Sequence, residues 1–277
     1  MKHAGLIYAL LSLSLVLGKT TAMGQAFPGA RTAGMAHSGV AVYDIWAINH
    51  NPAGMSGQGS PAAAVAAENR YLLHDMNLAA AAILLPIRSG TLGLSLGSFG
   101  NRVYREGKLG LAFSRFFGER LSAGLQINYL HRAITGEYGS ASTLAAAAGI
   151  ILEPIPGLYV GHHVYNPGRA KKLPYDEFDL RASIPTLFRT GCAYAFSDEV
   201  LLSVELEKET GHRPALRLGA EYHPGERIAV RAGMGSRPML NAFGFGIKQD
   251  RYQLDLSVSL HHVLGYSTQA GLSLSFP

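Results

Sequence analysis

Apolar residues alternate with small or polar residues in one short segment after another, and this period of two constrains the fold more than any other feature of the chain. Side chains alternate between the two faces of an extended strand. In the last segment the two faces carry Ala270, Leu272, Leu274 and Phe276 against Gly271, Ser273 and Ser275. One such strand also fits the edge of a soluble sandwich, so the fold depends on whether the pattern repeats.

The pattern repeats along most of the chain. Segments of strand period bounded by turn residues recur to the C-terminus. They lie at 61–70, 76–86, 91–101, 107–117, 120–132, 141–153, 157–165, 186–197, 199–208, 213–223, 226–236, 240–249, 251–262 and 267–276. The sequence therefore predicts about fourteen strands.

The composition indicates where these strands lie. The chain is 48% apolar and only 16% charged, yet after the N-terminus no apolar run is long enough for a membrane helix. A β-barrel resolves the conflict, because it places a lipid contact at every second residue of many strands. The single cysteine, Cys192, excludes an intrachain disulfide framework. Its parity places it on the lipid-facing side.

The N-terminus predicts the compartment. Lys2 precedes an apolar stretch at 4–18 and small residues at 20–24, an arrangement typical of a secretory signal peptide. Residues 1–24 are therefore expected to be cleaved, and the mature chain to reside in the outer membrane of a Gram-negative bacterium. The formal charge is +5, but the basic residues are scattered, so no nucleic-acid partner is expected.

The connections alternate in length. Short turns at 86–90, 117–120, 154–157, 196–199, 223–226 and 249–251 alternate with connections that are mostly longer, the longest being 166–185. This alternation is typical of a transmembrane barrel with external loops at one end and periplasmic turns at the other. We predict an all-β fold, an antiparallel transmembrane barrel of about 14 strands over residues 59–277. Residues 25–58 lack a sustained period and form either a plug in the lumen or a loose periplasmic extension.

This N-terminal region carries a recognisable pattern. It contains GARTAGM at 29–35, GVA at 39–41 and NPAGM at 51–55. The pattern resembles the N-terminal region of the FadL long-chain fatty-acid transporters and of the PorV/PorQ proteins of the type IX secretion system. The resemblance implies a fourteen-stranded barrel closed by an N-terminal plug. The residues that carry it are Gly29, Arg31, Gly34, Met35, Asn51, Pro52, Ala53 and Gly54.

Parity assigns a set of polar and charged side chains to the lumen. The set comprises Gln126, Asn128, Arg189, Glu205, Glu207, Arg217, Glu221, Arg231, Lys248 and Asp255. A turn centred near Gly211 would place Glu205 opposite Arg217, a favourable cross-strand pair. The set forms either a charge network that fills a narrow barrel and holds the plug or a polar permeation path, and we favour the network.

No enzyme, cofactor or metal site is predicted. Residues 93–97 read GLSLG and match the G-x-S-x-G pattern of hydrolases, but that chemistry needs a strand-to-helix turn, and here the match lies inside a strand-period segment. The pairs His162-His163 and His261-His262 point to opposite faces of a strand, so neither is suited to chelate a metal.

Two functions are consistent with the sequence. The first is a PorV/PorQ-like accessory that anchors or shuttles a partner in protein secretion, with contacts expected in the long outer loop at Lys171, Lys172, Tyr175 and Phe178. The second is a FadL-like channel for small hydrophobic molecules. Short outer loops and a plugged lumen braced by charges favour the first. The expected partners are outer-membrane lipid and either secretion proteins with their cargo or a hydrophobic small molecule.

Overall fold

Fourteen antiparallel strands close into a ring. The computed structural model describes residues 28–136, 139–168 and 184–277. Each strand pairs with the next, and β14 returns to pair with β1, where Ala62 lies opposite Ser275. The strands are β1 Ala62–Asn69, β2 Asn77–Ile87, β3 Gly90–Gly100, β4 Tyr104–Phe117, β5 Leu121–Ile134, β6 Ser140–Ile155, β7 Leu158–Tyr165, β8 Leu187–Ala195, β9 Val200–Glu209, β10 Ala215–Tyr222, β11 Ile228–Ser236, β12 Met239–Gln249, β13 Tyr252–His261 and β14 Gly265–Ser275.

The predicted fold class and strand number are confirmed, and several strand ends differ from the predicted bounds, most of all at β4. β4 begins at Tyr104 instead of residue 107. The Asn101 side chain accepts hydrogen bonds from the backbone N–H groups of Val103 and Tyr104, which closes the turn in three residues. Glu106 then faces inward and pairs with Arg132, so a charged residue extends the strand where the sequence indicated a loop.

The two faces of the wall differ as the alternation predicts. Along β5, Leu125 and Ile127 are 67% and 61% exposed on the outer face, whereas Gln126 and Asn128 are 4% and 0% exposed inside. Large exposed apolar side chains occur on the same outward parity around the ring. This arrangement matches an outer-membrane barrel, whose outer face contacts lipid.

Helices contribute little to the fold. In the part of the chain that the structure describes, none has the length and apolar character that a membrane-crossing helix requires.

Residues 28–57, here called the N-terminal segment, lie against the inner face of the wall. The segment contains α1 (Ala30–Gly34), α2 (Ala47–His50) and a 3-10 helix (Pro52–Gly57), and most of its side chains are buried. The apolar side chains of Met35, Val40, Ile48 and Met55 are at most 1% exposed.

Glycines make room for this segment on the inner wall. At each of eight inward positions a Cβ would come to 3.0 Å or closer to an atom of the segment; these are Gly93, Gly124, Gly149, Gly161, Gly191, Gly219, Gly233 and Gly244. Since any larger residue at these positions would collide with the segment, we call this set the glycine belt. Close backbone approach is a common reason for glycine inside strands.

The two ends of the barrel carry different connections. Strand pairs meet in tight turns at one end, including residues 88–89 and 156–157, and the longest connection, 166–186, joins β7 to β8 at the other. The expected signal peptide, residues 1–24, lies outside the described residues. So do the loop residues Lys171, Lys172, Tyr175 and Phe178.

Candidate functional site: the interface between the N-terminal segment and the wall

Charged side chains from the wall and the segment meet at a buried interface. Arg31 in α1 forms two bonds to Glu221 on β10, Nε to Oε2 at 2.9 Å and Nη2 to Oε1 at 2.7 Å. Arg231 on β11 also donates to Glu221, at 2.5 Å, and to Asp255 on β13, at 2.7 Å. A chain of alternating charges therefore runs from the segment into three wall strands. Bidentate pairs between arginine and carboxylate are among the strong charge-assisted bonds.

A second group of contacts is centred on Arg189 of β8. Its Nη1 and Nη2 donate to the backbone carbonyls of His50 and His37, at 3.0 and 2.8 Å. Its Nε donates to Glu205 at 2.5 Å, and the other oxygen of Glu205 accepts the backbone N–H of Val40 at 2.8 Å. One buried ion pair of the wall thus binds backbone groups at three points of the segment.

Arg217 of β10 makes a third contact. It is the register partner of Glu205, as the sequence indicates, but its guanidinium donates to Glu207 at 2.8 Å and to the carbonyl of Ala36 at 3.1 Å. Glu205 is already occupied by Arg189 and by the Val40 N–H. Arg189 and Arg217 therefore pair along diagonals of the sheet, whereas Arg231 pairs with its register partner Glu221.

The N-terminal box at 51–54 contacts the wall through an asparagine. Asn51 Nδ2 donates to the carbonyl of Val40 at 2.7 Å and to that of Ile150 on β6 at 3.2 Å, while Oδ1 accepts the N–H of Ala53 at 3.1 Å. A Cβ on Gly149 would lie 1.8 Å from Asn51 Oδ1. Asn51 therefore fits against the wall because residue 149 has no side chain.

The residues singled out by sequence fall into three groups. The eight motif residues Gly29, Arg31, Gly34, Met35, Asn51, Pro52, Ala53 and Gly54 lie in the N-terminal segment. Nine of the ten residues assigned to the lumen lie on the inner face, buried or partly buried, and the tenth, Lys248, is exposed at the end of β12. The four outer-loop residues lie outside the described residues. The lumen set therefore meets the motif set at one interface.

Sequence reasoning missed several members of this interface. Lys108 Nζ donates to Asn49 Oδ1 at 3.0 Å, and the hydroxyls of Ser38 and Ser203 lie 2.7 Å apart. Asp44 lies 3.7 Å from Arg31, and burial raises the pKa of its carboxyl. Strand parity assigns Lys108 and Ser203 to the inner face. Their partners lie in the irregular N-terminal segment, which has no sequence period that would identify them.

The G-x-S-x-G match and the His162-His163 pair lie inside strands, in positions that do not suit catalysis or metal binding. Ser95 lies in the middle of β3, which pairs along its length with β2 and β4, so no strand-to-helix turn exposes its hydroxyl. His162 faces outward, whereas His163 is buried on the inside. Among the described residues, no group of three His, Cys, Asp or Glu side chains has the geometry to hold a metal ion.

An apolar groove of about 660 Å³ lies on the outer face of β4 to β8. Exposed Phe113, Leu125, Ile150 and Phe188 line it. Its floor includes Gly149, the same residue that contacts Asn51 from the inside. Only the backbone of the wall therefore separates this groove from the N-terminal box.

Comparison with solved structures shows the same fold in known channels. The monoaromatic hydrocarbon channel CymD is similar over 92% of this chain and 99% of its own, with a TM-score of 0.70 and 14% identity. The toluene transporter TodX of Pseudomonas putida is similar over 88% and 96%, with a TM-score of 0.66 and 10% identity. A FadL homologue of Pseudomonas aeruginosa is similar over 90% and 97%, with a TM-score of 0.58 and 14% identity.

No family model and no curated protein matches the chain. The similarity to these solved structures extends over nearly the whole length of both chains, but at such low identity it shows the fold alone. The resemblance to FadL-type channels therefore holds at the level of the fold, and the resemblance to the PorV/PorQ proteins is not shown by these structures.

Proposed function

We propose that this protein is an outer-membrane channel for small hydrophobic molecules, in which the N-terminal segment closes the barrel as a movable plug. The observation that carries the proposal is the position of Gly149. It lies on the floor of the apolar outer groove and against Asn51 of the segment. A molecule in the groove on the lipid side is therefore separated from the segment only by the barrel wall.

The charge distribution fits a segment that moves. When the segment withdraws, Arg189 stays paired with Glu205, Arg217 with Glu207, and Arg231 with Glu221. The wall therefore keeps its arginines compensated, which matters because an unpaired buried charge is costly. Arg31 carries its own neighbour, Asp44, within the segment.

The names of the similar structures support the same function. Two are described as a monoaromatic hydrocarbon channel and a toluene transporter, and a third as a FadL homologue. The sequence favoured the secretion accessory over the channel. That preference depended on short outer loops and on a plugged lumen braced by charges, whereas the names of the similar structures support the channel.

Uptake by whole cells tests the proposal. Cells of a Gram-negative host with an intact outer membrane would receive either this protein or an unrelated barrel of similar size, and the rate of radiolabelled toluene entry would be measured. We expect a several-fold faster rate with this protein and an unchanged rate for a small polar sugar. Equal toluene rates in the two strains would refute the proposal, as would a parallel increase for the sugar, which indicates an open pore.

A further inference from the structure

Three polar side chains line the outer face of the apolar groove: Arg115 near the end of β4, with its guanidinium over the Phe117 ring, and the pair His162 and Thr190. His162 on β7 and Thr190 on β8 are register partners, both are exposed, and both line the groove. His162 Nδ1 and Thr190 Oγ1 lie 2.8 Å apart and share a hydrogen bond. Polar groups on the lipid face of a barrel are unfavourable unless they are near its ends, yet this pair lies in the middle of both strands.

The surroundings of the pair are apolar. Phe113, Leu125, Ile150, Val164 and Phe188 line the same groove. In a setting without water, a hydrogen-bonding group that is offered no partner weakens binding, and one that finds a partner strengthens it. Arg115 is stacked on Phe117 near the strand end, so His162 and Thr190 are the polar pair in the middle of a largely apolar groove. A large apolar surface with a few polar groups is the usual composition of a small-molecule site.

The hydrogen bond between His162 and Thr190 leaves a donor and an acceptor position of the pair open for a third group. It occupies Nδ1 of the imidazole, and within the described ranges Nε2 has no hydrogen-bond partner. A threonine hydroxyl has one donor and two acceptor positions, so Thr190 also keeps an unused position. Either tautomer of His162 thus presents the pair as both a donor and an acceptor.

The wall behind the pair is thin and polar on its inner side. The inward neighbours His163 and Arg189 are register partners in turn, followed by the pair Gly161 and Gly191. The carbonyl of His162 lies 3.4 Å from Asn51 Nδ2. The outer pair therefore lies directly across the wall from the residues that hold the N-terminal segment.

We propose that His162 and Thr190 form a recognition site for the polar group of an otherwise apolar passenger, a phenol-like molecule with an aromatic body and one hydroxyl. This inference rests on the proposed channel function and specifies its substrate class. The aromatic body would lie on the apolar side chains of the groove, and the hydroxyl would bind the free positions of the pair.

The matched probes are p-cresol and p-xylene, which differ by a hydroxyl in place of one methyl group. Cys192, the only cysteine, lies two residues from Thr190 on β8, and a trifluoromethyl label there reports occupancy of the groove by ¹⁹F NMR in lipid nanodiscs. We expect p-cresol to half-saturate the signal at an about tenfold lower membrane concentration than p-xylene, the scale of one hydrogen bond.

The variants His162→Leu and Thr190→Val remove the polar atoms and leave outward-facing apolar side chains, which a lipid-facing position accepts. In the double variant we expect the preference for p-cresol to disappear while the response to p-xylene persists. A preference that survives in the double variant overturns the inference, as does the absence of any preference in the original protein. A signal from lipid acyl chains alone, with no response to either probe, also overturns it.

Failure of this inference is distinguishable from failure of the channel function. Toluene uptake by whole cells does not require the polar pair. Normal uptake combined with no p-cresol preference leaves the channel and refutes the recognition site, whereas absent uptake refutes the channel itself.

Discussion

Arg31 of the N-terminal segment and Glu221 of the wall join the two parts of the molecule through two parallel hydrogen bonds, of 2.9 and 2.7 Å. Arg31 is the only arginine of the described segment, and its partner carboxylate is 2% exposed. The same carboxylate accepts from Arg231. This pair therefore links the docked position of the segment to the charge network of β10, β11 and β13.

Removing Arg31 should weaken docking of the segment. In Arg31→Ala the free energy of docking should fall by about 3 kcal/mol, because two charge-assisted hydrogen bonds to a buried carboxylate are lost. The only tryptophan, Trp46, is 5% exposed within the segment, so its fluorescence emission should shift to longer wavelength. Arg102→Ala, at an exposed loop position, is the control. An unchanged emission maximum in Arg31→Ala would contradict the assigned role.

Gly149 should not tolerate a side chain. In Gly149→Ala the added Cβ would lie 1.8 Å from Asn51 Oδ1, so the box must leave the wall. We expect proteolysis of the segment to accelerate at least tenfold while the barrel stays heat-resistant on gels. Gly59→Ala, where a Cβ meets nothing within 4 Å, is the matched control. Adding the second substitution Asn51→Ala should relieve much of the effect of Gly149→Ala on proteolysis. If the effects of the two substitutions on the proteolysis rate simply add in the double variant, this contact is not the cause.

Replacing Glu205 should destabilise the folded protein more than replacing an exposed acidic residue. Its side chain is 1% exposed and its partner Arg189 0%, so Glu205→Ala should destabilise the folded protein by about 3–5 kcal/mol. Glu205→Gln keeps an acceptor for the Val40 N–H and should cost less. Urea unfolding followed by heat modifiability on gels measures both, with the exposed Glu119→Ala as control. Equal losses in the Ala and Gln variants would show that the backbone contact to Val40 contributes nothing.

Acidification should weaken docking through His37. Burial, with Arg217 and Arg189 nearby, lowers the pKa of His37 to about 3 from its ordinary 6.5. The undocked segment therefore binds more protons between these values, so docking is strongest above pH 6.5 and weakens as the pH falls toward 3. The raised pKa of Asp44 acts in the opposite direction. A pH titration of Trp46 emission should be shallower in His37→Asn, whose side chain suits the positive φ of 64° at this position. Identical titration curves would exclude His37 as the sensitive group.

The barrel is predictable from sequence because lipid and lumen select opposite residue types at alternate positions. Leu125, Gln126, Ile127 and Asn128 already specify which face of β5 is which, and the same parity places Glu205 and Arg217 on the inner face. Turn residues then bound each strand. The errors are small shifts at strand ends, as at Tyr104, where an asparagine closes a turn more tightly than its loop-like composition indicates.

The interface is less predictable because its contacts have no sequence period. Arg189 binds the backbone carbonyls of His37 and His50, and backbone acceptors carry no residue-specific signal. The position of Gly149 against Asn51 likewise depends on the path of an irregular segment across the barrel. The outer groove was missed because it forms where side chains from five strands meet around inward-facing glycines.

Fixing the N-terminal segment to the wall and measuring uptake shows whether movement of the segment opens the channel. The hydroxyls of Ser38 and Ser203 lie 2.7 Å apart, so Ser38→Cys and Ser203→Cys in a Cys192→Ser background should form a disulfide between the segment and β9. The rate of radiolabelled toluene entry into whole cells is then compared before and after reduction. If movement of the segment opens the channel, the oxidised protein loses uptake and a reductant restores it to the rate of the Cys192→Ser control. Undiminished uptake by the fully oxidised protein would contradict the claim that movement of this segment opens the channel.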